Sequence, residues 1–483
     1  MRLTLVILLF FVCSITYPQS EHSRLLFDLQ FDKIHSLDGA PAIRTEDRLP
    51  ALYMSCYAYF LEALIAGDDK TWQEYRLHAG KAADEIKATD LKGPEKLHFL
   101  ALLDLQSAVL AVGHEDGWKA IRNYYAAWKM VHSNLAQNPD YFPNLLTQGV
   151  LEIIAGSLPQ EYTWLMKRTG IKGTIASGQA KLEKYFAGCK EEDHLEATLI
   201  LALSYYQFNP DEERAYRLLH LFEKEYPGIR LYNYLHALAA MKAGHNDTAI
   251  IILNKMTEGA KGCNFPYACL LLVEAKLNRL DNDADKYLLY FIEQYKGTNY
   301  IRMAYHKLSW YYYLNNDLVR YEQMEDRVLT SGRDLTEADR QATTEAADTA
   351  IPNPVLLKAR LLYDGGYYDK GLSLLAGTGH EVLLTSRDSL EYHYRLGRFY
   401  QKTGDSKSAS NQYRQVINGG AGQPWYFIAN SMLQMGMIAE GKGKYGEARH
   451  FYRSCLEAEK SQYRRSINQK AKAGLERVEA LKR

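Results

Sequence analysis

Few residue groups in the chain could do chemistry, and each has a competing structural use. Gly441-Lys442-Gly443-Lys444-Tyr445-Gly446 carries the spacing of a dinucleotide-binding turn. Such a turn needs a strand before it and a helix after it, so that pyrophosphate meets a helix N-terminus. A helical pattern precedes it here, so the glycines read as a turn between two helices. Asp281, Asp283 and Asp285 start like a calcium loop, but Lys286 stands where glycine is needed and Ile292 where glutamate is needed. They read as a solvated turn before a helix, whose N-terminus favours carboxylates. His114-Glu115 lacks the second histidine of a zinc-protease helix, and neither G-x-S-x-G nor a P-loop occurs. The 14 histidines are dispersed and read as surface or packed residues. No catalytic residue, metal ligand or cofactor is expected.

Recognition is the chemistry that remains. Asn353, Arg360, Tyr363, Glu391, Tyr394, Arg398 and Gln401 fall on one face of successive helices. Arginines about one repeat apart, flanked by tyrosines, can read a carboxylate or the backbone of an extended peptide. A solvated groove with no ligand would use the same residue types.

The elements that position this set come from a repeat. Ala215, Ala249 and Ala284 are spaced 34 and 35 residues apart, and Gly371, Ala409 and Ala448 are spaced 38 and 39 apart. Around Ala409, Leu396-Gly397 precede Tyr400, Gly404 marks a turn, and Tyr413 follows. Met435-Gly436, Gly443, Ala448 and Tyr452 repeat that order. Small residues let two antiparallel helices approach closely, and the tyrosines fill the space they leave. Gly404 and Gly443 suit the positive φ of a helix C-terminus, and Pro227 stops a unit. These columns resemble tetratricopeptide repeats over residues 192–297 and 352–460, which implies an all-α, right-handed α-α superhelix. The set on the inner face differs from the Lys/Asn clamp that chaperone-tail-binding repeats use. Between 299 and 350 Arg320 replaces the small residue, so that unit is degenerate. Residues 464–482 form an amphipathic helix suited to cap the array.

Apolar residues at helical spacing also run from Leu49 to Ile65, Trp72 to Ile86, Lys96 to Val112 and Trp118 to Leu135, with turn signals between them. No stretch alternates with period two for long, so strands are not expected. The stretch Gly149 to Pro159, then Trp164, Gly170, Gly173, Gly178 and Leu182, resembles the signature of the tetratricopeptide-repeat-protein-39 family, with one leucine of its Ser-Leu-Leu-Pro stop missing. Fungal members of that family are described as outer-membrane or inclusion-clearance proteins. The resemblance implies a helical interaction protein with no catalytic residues to carry over, here an exported relative of Gram-negative type.

Arg2 and the apolar run Leu3 to Ile15 match a signal peptide, being too short for the about 20 residues that span a bilayer. No other stretch approaches 18 apolar residues without charges, so the mature chain is expected to be soluble with no membrane span. Cys13 follows Phe11 and Val12, which fits a lipoprotein signal poorly. The five later cysteines are too scattered for a disulfide framework, though Cys263 and Cys269 could pair. With 58 basic and 58 acidic residues the chain offers no electrostatic case for nucleic acid. Thirteen prolines against 37 tyrosines suit helices.

In the middle units the inner face reads Leu199, Leu203, Tyr234, Leu238, Met241, Cys269 and Val273. An apolar stripe that long needs a cover, and the N-terminal helices are the candidate, leaving the C-terminal groove open. The expected organisation is a signal peptide (1–19), a divergent helical region (20–190), repeats ending in a degenerate one (191–350), regular repeats (351–463) and a cap (464–483). The expected function is a non-catalytic periplasmic or outer-membrane-associated scaffold that binds a protein or extended peptide. The alternative is an outer-membrane glycan-handling protein.

Overall fold

The structure is a computed structural model that describes residues 20–36, 48–90, 93–114, 116–158, 169–208, 211–257, 265–295, 297–334, 336–348, 351–458 and 463–480. The expected signal segment, Cys13 and Cys263 lie outside these. Among the described residues there is no strand. The first half holds α1 (Ser20–Phe27), α2 (Phe31–His35), α3 (Arg48–Ala66), α4 (Asp69–Ala88), α5 (Pro94–Gly113), α6 (Gly117–Gln137), α7 (Asn144–Ser157) and α8 (Ile175–Gly188). The middle holds α9 (His194–Phe208), α10 (Glu213–Leu221), α11 (Arg230–Ala243), α12 (Asn246–Thr257), α13 (Pro266–Arg279), α14 (Asp285–Gln294), α15 (Ile301–Leu314), α16 (Leu318–Thr330) and α17 (Glu337–Ala346). The last part holds α18 (Pro354–Asp364), α19 (Tyr368–Ala376), α20 (Ser386–Lys402), α21 (Ser406–Gly419), α22 (Tyr426–Gly441), α23 (Tyr445–Glu457) and α24 (Arg464–Ala480).

Local sequence sets where helices begin. Asp68, Asp116, Asp317 and Asp405 accept hydrogen bonds from the first free N–H groups of α4, α6, α16 and α21. Thr174 with Ser177, and Thr385 with Asp388, close reciprocal capping boxes on α8 and α20. Pro94, Pro266 and Pro354 sit in the first turns of α5, α13 and α18, where their missing N–H costs nothing.

Helices then pack in sequential antiparallel pairs: α9 with α10, α11 with α12, α13 with α14, α15 with α16, α18 with α19, α20 with α21 and α22 with α23. The first helix of a pair also packs on the first helix of the next, as α9 does on α11 and α20 on α22. The small-residue columns are the reason. Ala215, Ala249, Ala284, Ala409 and Ala448 are all buried. A Cβ on Gly397 would lie 2.7 Å from the ring of Tyr413, and one on Gly436 would lie 2.6 Å from the ring of Tyr452. Gly404 and Gly443 take positive φ in the turns before α21 and α23. The chain is thus an all-α solenoid of stacked tetratricopeptide-like pairs. α24 covers the last pair through Ile467, Ala471 and Val478.

In the degenerate unit α15 and α16 still pair. Arg320 is exposed there, with its guanidinium 5.2 Å from the centre of the Tyr312 ring. The irregularity lies one step later. α17 is a third helix on the pair, and α18 packs back against α13 as well as α15, through Leu277, Trp310, Leu357 and Leu361. The array therefore bends on itself. Tyr367 donates to Asp247 (2.8 Å) and accepts from Asn246 (3.0 Å), and Lys402 meets Glu212 at 2.7 Å. The ion pair is half-exposed and worth little, so the buried Asn246 and the close approach of Gly366 to Gly244 hold the bend.

The family-like segment has a packing explanation. A Cβ on Gly178 would stand 2.4 Å from the carbonyl oxygen of Gly149, and one on Gly173 would stand 2.7 Å from the Glu152 backbone. The glycines let α7 and α8 touch backbone to backbone.

Arg48 and Glu62 interrupt the apolar run of α3, and Lys96 and Asp104 that of α5, in line with the expectation that no later stretch is long, apolar and free of charges. Those charges aside, α3 and α5 are long and apolar enough to cross a membrane by length and composition. Both are core helices here: Tyr53, Tyr57, Phe60, Phe99 and Leu102 along them are fully buried among neighbours, and His98 and Gln106 of α5 are buried too.

Candidate functional site: an aromatic cavity on the inner face

The inner helices α9, α11, α13 and α15, with α17, line a partly open cavity of about 220 Å³. One wall is a tyrosine column. Tyr234, Tyr267 and Tyr300 recur every 33 residues, beside Tyr206. Leu238 and Leu271 repeat the same spacing one turn further along. Tyr267 packs edge-on against Tyr300 (ring centres 5.7 Å apart) and shares a hydrogen bond with the Tyr295 hydroxyl at 2.9 Å. Burial pushes the Tyr206, Tyr234, Tyr267 and Tyr300 hydroxyls above the ordinary phenol range, so all four are neutral donors at physiological pH.

The opposite wall is polar at its edge. Lys307 stands 3.7 Å from Glu274 and lies over the Trp310 ring at 4.4 Å. Gln341 lines the same space and donates to Glu345 (2.8 Å). His306 is held between Glu325 (3.1 Å) and Glu345 (3.2 Å). Burial alone would lower the pKa of His306; the two carboxylates outweigh it and raise the pKa. A histidine committed to two acids is not free to act as a general base, and no serine, threonine or cysteine lines the cavity. The arrangement offers aromatic faces, one cation, one anion and an amide, which suits binding.

The sequence-derived set lies next door, engaged within the fold. Arg360 makes a two-pronged pair with Glu345 (3.0 and 3.1 Å), meets the Tyr463 hydroxyl at 3.1 Å and lies over Trp310 at 4.6 Å. Burial disfavours both charges of that pair, and their mutual attraction, with His306, outweighs it: Arg360 is raised and Glu345 is held well below its usual range. The Arg398 guanidinium covers the Tyr363 ring at 4.1 Å and donates to Tyr394 (2.8 Å). Tyr394 is only 1% exposed and also accepts from Asn430 (2.8 Å). Glu391 pairs with Arg395 one turn on. Gln401 accepts from Tyr413 (2.6 Å) and donates to Gln434 (3.0 Å). Asn353 stands apart, capping α18 through Val355 and Leu356 and donating to the Val382 carbonyl.

The open groove expected above an occupied middle is corrected accordingly. C-terminal arginines and tyrosines satisfy one another, while the opening sits in the middle units. Leu203 and Val273 are buried as a covered stripe requires. Leu199 and Leu203 share a core with Tyr53, Tyr57 and Phe60 of α3, and Tyr57 reaches Glu196 at 3.4 Å. Val273 is instead covered by the next unit, with Met303 and Leu308. Leu238 remains half-buried on the cavity wall. Tyr267, Tyr300, Lys307 and Trp310 were missed, although the 33-residue tyrosine spacing was the signal that could have found them.

The rejected motifs have structural uses. Asp281 pairs with Arg279 (2.6 Å) and Asp283 with Lys276 (2.6 Å), and Gly443 makes the turn before α23. Cys269 is disulfide-bonded, while Cys56, Cys189 and Cys455 are in no disulfide; the suggested partner, Cys263, lies outside the described residues.

No family model and no curated protein matches the chain. Among solved structures it is similar to a human IFIT1 dimer with m7Gppp-AAAA, at 12% identity over 98% of each chain, with a TM-score of 0.36. A likeness that faint carries no functional argument.

Proposed function

We propose that the chain is a non-catalytic scaffold of the cell envelope that holds an extended peptide or protein segment against its inner face, with one side chain anchored in the aromatic cavity. The cavity's size carries the reading. At about 220 Å³ it falls below the range of pockets that enclose a whole small molecule and matches one large anchored group of a longer ligand. Lys307, Glu274 and Gln341 can hydrogen-bond the ligand backbone beside that anchor. Arg360 backs the cavity by lying over Trp310, and Tyr363, Glu391, Tyr394, Arg398 and Gln401 are engaged with one another or with neighbouring side chains in the following units. Export to an oxidising periplasm accords with the disulfide at Cys269 and the apolar start of the sequence. The resemblance to the tetratricopeptide-repeat-protein-39 family rests on the sequence pattern from Gly149 to Leu182.

Aromatic rings beside Lys, Glu and Gln also suit a sugar ring, which keeps a glycan ligand as the second reading. A side-by-side selection separates them. The full chain is incubated with an immobilised random-peptide library and with a glycan array. Peptides sharing one aromatic or aliphatic anchor support the scaffold. Selection of glycans with no peptide consensus overturns it in favour of the second reading.

A further inference from the structure

A second site stands on the other side of α11, away from the cavity column. α10 ends at Leu221, and the chain turns back and returns as α11. That turn brings His220 and Glu223 beside His236, with ligand atoms of all three within 4.8 Å of one another. His220 Nδ1 lies 3.3 Å from a Glu223 carboxylate oxygen. His236 is fully buried, and neither of its ring nitrogens has a hydrogen-bond partner. A buried polar group left unpartnered costs about 1–3 kcal/mol, so such a residue asks for a partner. Tyr216 stacks against both histidines, with ring centres 5.4 Å and 5.6 Å away, and so limits how they can turn.

We infer that His220, Glu223 and His236 form a site for one divalent transition-metal ion, with zinc the best fit to two imidazoles and a carboxylate. Three such protein ligands plus water make a recurrent zinc set. The ligand edges of a tetrahedral zinc site are about 3.3 Å, so the group must tighten slightly. His220 and Glu223 retain solvent exposure and can move to do so, and the ion has a path in. Bound there, the ion would pin the α10–α11 turn and so brace α11, which carries Tyr234 and Leu238. The spacing His-x2-Glu-x12-His is the sequence trace of the site.

The test uses the purified full chain. Titration with Co²⁺ should give one equivalent of visible absorption with no thiolate charge-transfer band, and Zn²⁺ should displace it. His220→Ala, at an exposed position where folding is checked by circular dichroism, should weaken Zn²⁺ binding by at least about 100-fold, more than loss of an outer-shell partner costs. Zinc should also raise the Tm of the wild type and leave that of His220→Ala unmoved. Absence of a bound equivalent, equal affinity in His220→Ala, or a thiolate band traced to the free Cys189 would overturn the assignment.

Discussion

Arg360 shows why a recognisable side chain can be unavailable for recognition. Its guanidinium is paired with Glu345, covered by Trp310 and bonded to Tyr463, so its donors are used inside the fold. Arg360→Ala should therefore cost stability, by about 3–5 kcal/mol, because Glu345 loses its buried counter-charge. Urea denaturation measures it, and a loss under about 1 kcal/mol would show the pair to be solvated. His306, the third member, gives a pH signature. The folded chain favours its protonated form, so that stability is full below about pH 6.5 and fades as pH rises through the raised folded value. The Tm difference between wild type and His306→Gln should be larger at about pH 6 than at about pH 9. A difference independent of pH would mean that His306 is neutral in the fold.

At the scale of elements, close approach sets the rules. Gly178→Ala should destabilise by about 1–3 kcal/mol, since the added carbon meets the Gly149 carbonyl. Gly446→Ala, exposed in the first turn of α23 with nothing within 4 Å, should be neutral or slightly stabilising. Thermal melts of the pair check this, and equal shifts would contradict the α7–α8 contact. Deleting residues 464–483 should bare the apolar face beneath α24 and raise hydrophobic-dye binding; unchanged dye binding would show that α24 caps nothing. Much of this was legible in the sequence. Ala215, Ala249, Ala409 and Ala448 marked pairs because a small residue at a helix crossing is a local requirement. Gly67-Asp68-Asp69 and Gly404 likewise marked turns through their own chemistry. What stayed hidden was non-local. Nothing near Arg360 in the sequence announces Glu345, His306 or Tyr463, and nothing near α18 says that it packs back on α13.

The whole molecule gains its inner space from that last step. Because α18 returns to α13 and the turns at Gly244 and Gly366 touch, the tyrosine column faces α15 and α17 across a gap and is not left on an open surface. The cavity's place in the array follows from the extra helix α17, which no repeat column predicts. In the function proposed above, this cavity anchors the ligand. The most direct test of that anchoring is the affinity of a library-selected peptide for the wild type, for Leu238→Trp, which fills the cavity, and for Ile251→Trp, an exposed control. A loss of at least about tenfold, or 1.4 kcal/mol, is expected in Leu238→Trp alone. Equal affinity in all three would place the ligand elsewhere on the solenoid and contradict the anchoring.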